Sequence, residues 1–288
     1  MALVALLAAA TGPLLRGLIV RYSVPYADAL DDDGSPADDG PPAGDGSHGD
    51  GGSHDGEGRR DGAGSRDDVP ERPSAWRREC PACGRALPGA GWRGVAGPLP
   101  PTGRCPRCPA RLGPPPWAVE IMAAVVCALL AWRVTEPWTL VALCWLALAG
   151  VAMAFVDVAV HRLPDPLTLP TYLGVLMLLG VAALVEGDAG RWGAAFLAGL
   201  GVAAFYFVLV LISPAGMGLG DVKLALSTGT ALGWAGWVVA VYGTALGILF
   251  GGLASLVLLA TRRVGRKDEL PHGPFMLVGA LVMALVVG

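Results

Sequence analysis

"WTLVALCWLALAGVAMAFVDVAVHR", residues 138–162, decides the fold. Between Glu136 and Asp157 no side chain carries a formal charge. A run of about 20 mostly apolar residues is what an α-helix needs to cross roughly 30 Å of hydrocarbon. Runs of the same kind recur on both sides of it. With the first, over residues 1–22, the candidate spans fall at about 117–133, 138–156, 167–185, 193–213, 222–235, 237–260 and 273–288. Composition agrees, with 53% hydrophobic and only 16% charged residues and a mean hydropathy of +0.54. The fold class read from these runs is an all-α polytopic membrane protein with about eight transmembrane helices.

The first run, "ALVALLAAATGPLLRGLIV", lacks a basic segment ahead of the apolar stretch and a small-residue cleavage site after it. It reads as a span rather than a signal peptide, with Arg16 near its inner end. Gly12, Pro13 and Arg16 make it the weakest of the spans, and 222–235, with Gly229 and Gly233, is short for a full crossing.

Residues 26–73 are rich in Gly, Asp, Pro and Ser and almost free of apolar side chains. Such a segment cannot bury enough surface to offset its ordering entropy, so a disordered cytoplasmic insertion is expected. Its Asp-Gly repeats show no recurring ligand spacing of a calcium site. Because most acidic residues lie in this segment, the net charge of −3 says little about partners. No nucleic-acid partner is expected.

Residues 74–116 contain "CPAC" (Cys80, Cys83) and "CPRC" (Cys105, Cys108). Two C-x2-C knuckles about twenty residues apart suit a small zinc-ribbon-like unit, each knuckle offering two thiolates to a tetrahedral Zn2+. Disulfides are the competing reading, and the compartment decides between them. Arg77, Arg78, Arg85 and further arginines up to Arg111 surround the knuckles, and the positive-inside rule assigns such a loop to the cytoplasm. Alternation then puts His161–Arg162, Lys223 and the basic run 262–267 inside as well. Cys127 and Cys144 lie in apolar runs and read as core residues.

This topology sets two carboxylates at similar depth on the cytoplasmic side. Asp157 ends the 138–156 span, and Asp221 opens the 222–235 span within "GMGLGDVKLA", residues 216–225. An acid near hydrocarbon needs a partner, a water-filled cavity or a function. Two acids in one low-dielectric site share a proton, and such a pair can activate water and protonate a leaving group. Gly216, Gly218 and Gly220 would let backbone approach a substrate closely, and Pro214 would end the preceding helix. The plainer readings are that Asp221 caps its helix and that Lys223 pairs with it or snorkels to the interface. Asp165, before Pro166, reads as an N-cap. Paired intramembrane acids also serve as relays in proton- or cation-coupled transporters, although no second copy of the glycine-acid stretch suggests an inverted repeat. A membrane adaptor, with the cysteines binding a partner, would need fewer spans.

"GLGD" (residues 218–221) resembles the G-x-G-D signature of intramembrane aspartyl proteases, and its context resembles that of the prepilin peptidases, or type IV leader peptidases. "FVDVAVHRLPDPLTLP" is similar to that family's other aspartate motif, "ELPHGPFMLVGAL" to its final-span signature, and the paired C-x2-C loop to its N-terminal cytoplasmic region. The resemblance implies an enzyme of the bacterial cytoplasmic membrane with its active site facing the cytoplasm. Its substrates would be type IV pilin precursors and secretion-system pseudopilins, cleaved after a glycine ahead of their apolar helix. It implies Asp157 and Asp221 as the catalytic pair, Gly218 and Gly220 as a strand-like path for substrate, and Lys223, Asp165 and a Gly273–Pro274–Phe275 turn as supports. Cys80, Cys83, Cys105 and Cys108 would bind zinc, and residues 117–288 would form a seven-span peptidase core. Many family members also methylate the new N-terminus with S-adenosylmethionine. The N-terminal half here is less similar, with residues 26–73 interrupting it, and no Gly-rich nucleotide fingerprint is visible. His272 stands where the family often has an apolar residue and reads as an interfacial side chain rather than a base.

Overall fold

The computed structural model describes residues 1–23, 80, 83, 104–105, 107–111, 113–115, 117–161, 163–213, 218–261 and 271–288. Contacts divide the chain into residues 1–25 with 75–288, and residues 26–74. The second unit holds the expected Gly/Asp-rich insertion and lies outside the described residues. So do Arg162, Pro214, Gly216, the basic run 262–267 and most of the segment around the cysteines.

Nine helices are seen among the described residues: α1 (Ala2–Ala10), α2 (Gly12–Tyr22), α3 (Ala118–Arg133), α4 (Pro137–Val160), α5 (Asp165–Glu186), α6 (Ala189–Ile212), α7 (Leu219–Gly233), α8 (Trp237–Ala260) and α9 (Gly273–Val287). They fall on every expected span, α1 and α2 together occupying the first. Five stretches are long and apolar enough to cross a membrane: Ala2–Tyr22, Pro137–Val160, Asp165–Glu186, Ala189–Ile212 and Trp237–Ala260. The helices α3, α7 and α9 are shorter, at 16, 15 and 15 residues. The chain is a multi-pass, all-helical membrane protein.

Local chemistry sets the breaks. Pro13 has no N–H to continue α1, and the Thr11 hydroxyl bonds the Ala8 carbonyl at 2.7 Å, so the first span is interrupted where Gly12 and Pro13 weaken it. Arg16, read from the sequence as lying near the inner end of the first span, is paired inside the protein. It is 1% exposed and forks onto Glu120 of α3, with Nε to Oε1 and Nη2 to Oε2 both at 2.7 Å. Its remaining donors reach the carbonyls of Pro114 and Pro115 at 3.2 and 3.1 Å. At the other end of the bundle, α7 and α8 turn through Gly236, whose φ of 138° suits glycine alone.

The centre of the bundle is α7, which packs against α5, α6, α8 and α9. Nearly every residue from Leu224 to Gly233 is buried, although Ser227, Thr228 and Thr230 are polar. Thr228 bonds back to the Leu224 carbonyl at 3.1 Å, which satisfies its hydroxyl without water. Close approach of α6 and α7 depends on small residues. A side chain at Gly229 would meet the Gly199 Cα at 3.1 Å, and one at Gly233 would meet the Ala195 carbonyl at 3.0 Å. With no hydrophobic drive between helices in lipid, such small-residue contacts are what lets them associate. The short α7 is thus enclosed by other helices rather than exposed to lipid.

Candidate functional site

Asp157 lies in the last turn of α4 and Asp221 in the first turn of α7, 4% and 8% exposed. Each holds one backbone amide with one oxygen. Asp157 Oδ2 accepts from the Gly273 N–H at the start of α9 at 3.0 Å, and Asp221 Oδ2 accepts from the Gly218 N–H at 3.1 Å. The cap reading of Asp221 is therefore correct as far as it goes: the acid closes the N-terminus of α7 from its third helical position. Two acids far apart in the sequence thus lie at the same end of the bundle, where α4 ends and α7 and α9 begin, on either side of Leu163.

Leu163 fills the connection from α4 to α5 beside them. A Cβ at Gly220 would lie 2.7 Å from the Leu163 Cβ, and one at Gly273 would lie 2.9 Å from Asp157 Oδ2. These glycines are needed for close approach. Only Gly218, at φ −91° and ψ 158°, is extended. Gly220 is helical, so the strand-like path expected over 218–220 does not extend to it: with Gly218 as N-cap, the helix has already begun. Likewise Gly273, Pro274 and Phe275 form the first turn of α9 rather than a free turn, since the Phe275 and Met276 N–H groups both bond the His272 carbonyl, at 3.1 and 3.2 Å.

Asp165 is not an N-cap. The N–H groups of Leu167 and Thr168 bond the Pro164 carbonyl instead, at 2.9 and 3.3 Å, which makes Pro164 the cap and Asp165 the first helical residue. Its freed carboxylate pairs with Lys223 of α7. Lys223 thus pairs with Asp165, not with Asp221.

Sequence reading missed Tyr206. This α6 side chain is 1% exposed, and its hydroxyl and His272 Nε2 share a hydrogen bond of 3.1 Å. His272 is half-buried just ahead of α9, and this hydrogen bond ties its ring to α6. The signal available in the sequence was faint: a polar-tipped aromatic in an otherwise apolar span, with a histidine just ahead of the last one.

A second cluster comprises Cys80, Cys83, Cys105 and Cys108, whose sulfurs all lie within 4.8 Å of one another. Cys80 and Cys108 are 3.7 Å apart, and Cys83 and Cys105 are 4.0 Å apart. A tetrahedral ion with metal–sulfur bonds of about 2.3 Å sets its thiolates roughly 3.8 Å from one another. The four residues thus fit a metal ion, and no cysteine of the chain is in a disulfide. The Cys105 N–H bonds the Ala110 carbonyl at 2.9 Å, folding the second knuckle over its ligand side. Cys80 and Cys105 pack on Val20 of α2. Cys127 and Cys144 pack within the core, as read from the sequence.

Such a helical membrane bundle, with two buried acids at one end and a four-thiol cluster beside its first helices, defines the class of a polytopic membrane protein with a buried acid site and a candidate metal centre. Comparison with known proteins narrows this class. Residues 140–287, which include both acids, match the type IV leader peptidase family, and the chain belongs to that family. It is similar to the prepilin leader peptidase/N-methyltransferase of Aeromonas salmonicida (29% identical over 192 residues, 64% of this chain and 62% of the relative). It is likewise similar to proteins of that name from Pseudomonas aeruginosa (27% over 213 residues, 72% and 70%) and Stutzerimonas stutzeri (30% over 186 residues, 64% and 62%). The chain thus spans 62% of the length of the Aeromonas salmonicida relative it matches. No solved structure matches it. These relationships support a peptidase and give no support to the transporter reading.

Proposed function

We propose that this chain is a prepilin leader peptidase, an aspartic endopeptidase that cleaves pilin-like precursors after a glycine at the cytoplasmic face of the bacterial inner membrane. The observation that carries this reading is the burial of Asp157 and Asp221 at one end of the bundle, each tethered through one oxygen to a backbone amide. In a low-dielectric site the two cannot both ionise cheaply, so the pair holds one proton between them. Backbone tethering of one oxygen on each acid leaves the other to work on water. The ionised acid removes a proton from water, and the resulting oxygen attacks the scissile carbonyl carbon. The protonated acid donates to the departing nitrogen, after which the C–N bond breaks and the pair is left with one proton again. Which acid starts protonated is a property of the pair rather than of either residue.

A substrate whose own helix lies in the bilayer must unwind at its leader junction before its peptide bond is accessible. A glycine at that junction lowers the cost of unwinding. The four thiolates would hold a structural Zn2+, fixing the segment that docks on α2. Methylation of the new N-terminus by S-adenosylmethionine is carried over from the relatives' name alone.

The purified chain in detergent, incubated with a prepilin, should yield a product whose N-terminus follows the junction glycine. Mass spectrometry reads this directly. An intact precursor after prolonged incubation would overturn the reading.

A further inference from the structure

Tyr206 and His272 stand at the acid site without a role in the chemistry above. Tyr206 is on α6, and His272 caps α9 and immediately precedes Gly273, whose N–H is on Asp157 at 3.0 Å. The hydroxyl and His272 Nε2 are 3.1 Å apart, and the two ring centroids are 5.7 Å apart. A Cβ at Gly251 of α8 would lie 3.2 Å from Nδ1, so the absence of a side chain there lets the imidazole pack close to α8. Burial pushes His272 below its usual range, so the ring is neutral and offers one donor and one acceptor. Fixing His272 fixes the backbone that follows it, since its carbonyl accepts the N–H groups of Phe275 and Met276 in the first turn of α9.

We propose that Tyr206 and His272 form a positioning pair that anchors the start of α9 to α6 and so holds the Gly273 amide on Asp157. The proposal rests on the peptidase reading for its consequence in catalysis, but not for the anchoring itself. Neither residue touches the reacting atoms. A merely structural pair, satisfying two buried polar groups, would affect stability alone and would not separate kcat from KM.

Tyr206→Phe deletes the hydroxyl and keeps the ring. His272→Leu deletes the partner, and His272→Gln restores a polar group near the place of Nε2. With the full chain in detergent and a prepilin substrate, Tyr206→Phe and His272→Leu should each lower kcat by about 3- to 10-fold, the range of one hydrogen bond, with KM within about twofold. The double variant should be no slower than either single one, because one interaction is lost once. His272→Gln should recover much of the rate when Tyr206 is present and none in Tyr206→Phe. Wild-type kcat in Tyr206→Phe, multiplying losses in the double variant, or a Gln no better than Leu would overturn the proposal. Amide hydrogen exchange of residues 271–276 gives a readout that needs no activity. It should quicken in Tyr206→Phe, and unchanged exchange would also overturn the proposal. Failure of the wild-type chain to cleave, with exchange behaving as expected, would instead strike the peptidase reading and leave the anchor standing.

Discussion

Arg16 illustrates how a single residue can be legible as costly while its partner is not. A charge inside a membrane span must find a partner, and the sequence reading placed Arg16 near the inner end of the first span without naming one. The partner is Glu120, 104 positions away, on a helix whose first turn it enters. No local pattern connects the two. The pair is bidentate and almost wholly buried, with side-chain exposures of 1% and 8%. Removing one member leaves the other charge buried and unpaired, which costs about 3–5 kcal/mol. Glu120→Gln should therefore lower the thermal midpoint in detergent markedly, while the paired apolar replacement Arg16→Met with Glu120→Leu should lie close to wild type. A Glu120→Gln melt indistinguishable from wild type would show the ion pair to be marginal. Asp165 shows the same limit on a smaller scale: its sequence neighbour Pro166 suggested a cap, but the Pro164 carbonyl takes the amides and Lys223 takes the carboxylate.

At the scale of elements, run length and hydropathy placed the helices well, because both are local properties that the chain carries with it. The glycines were harder, since their use depends on what arrives opposite. Gly220 read as a place for substrate to approach, and what approaches it in the fold is Leu163, whose Cβ would lie 2.7 Å from a Cβ at that position. Gly220→Ala should push α7 away from the α4–α5 connection and cost about 1–3 kcal/mol, with a fall in cleavage as Asp221 is displaced. Leu163→Ala in the same chain should not relieve it, because the collision is with the Cβ itself, whereas Leu163→Gly should restore part of the loss. Relief by alanine, measured as recovered cleavage rate, would place the collision elsewhere. The polar face of α7 was likewise unreadable as core until the helices around it were known.

For the whole molecule, the two clusters share no residue and, among the described residues, no packing neighbour named for either: the thiols pack on Val20 of α2, and the acids lie where α4 ends and α7 and α9 begin. The paired knuckles were legible because a metal site imposes its own spacing on the sequence. The acid pair was legible as two costly residues, and only topology joined them. Separation predicts independence. The purified chain should carry about one Zn2+, by the tetrahedral thiol set. Cys105→Ser should lose it and loosen the segment docked on α2, while cleavage stays within about threefold. Elemental analysis and proteolysis check the first two, and loss of cleavage in step with the metal would contradict the separation.

The central claim is that Asp157 and Asp221 act as one catalytic unit, and it is met most directly by Asp157→Asn and Asp221→Asn. In both variants the side-chain carbonyl can still accept the Gly273 or Gly218 amide, so the fold should persist while the exchangeable proton is lost. Measured with a prepilin in detergent, each purified variant should elute and melt like wild type yet show no detectable cleavage. Turnover at the wild-type rate in either would contradict the account.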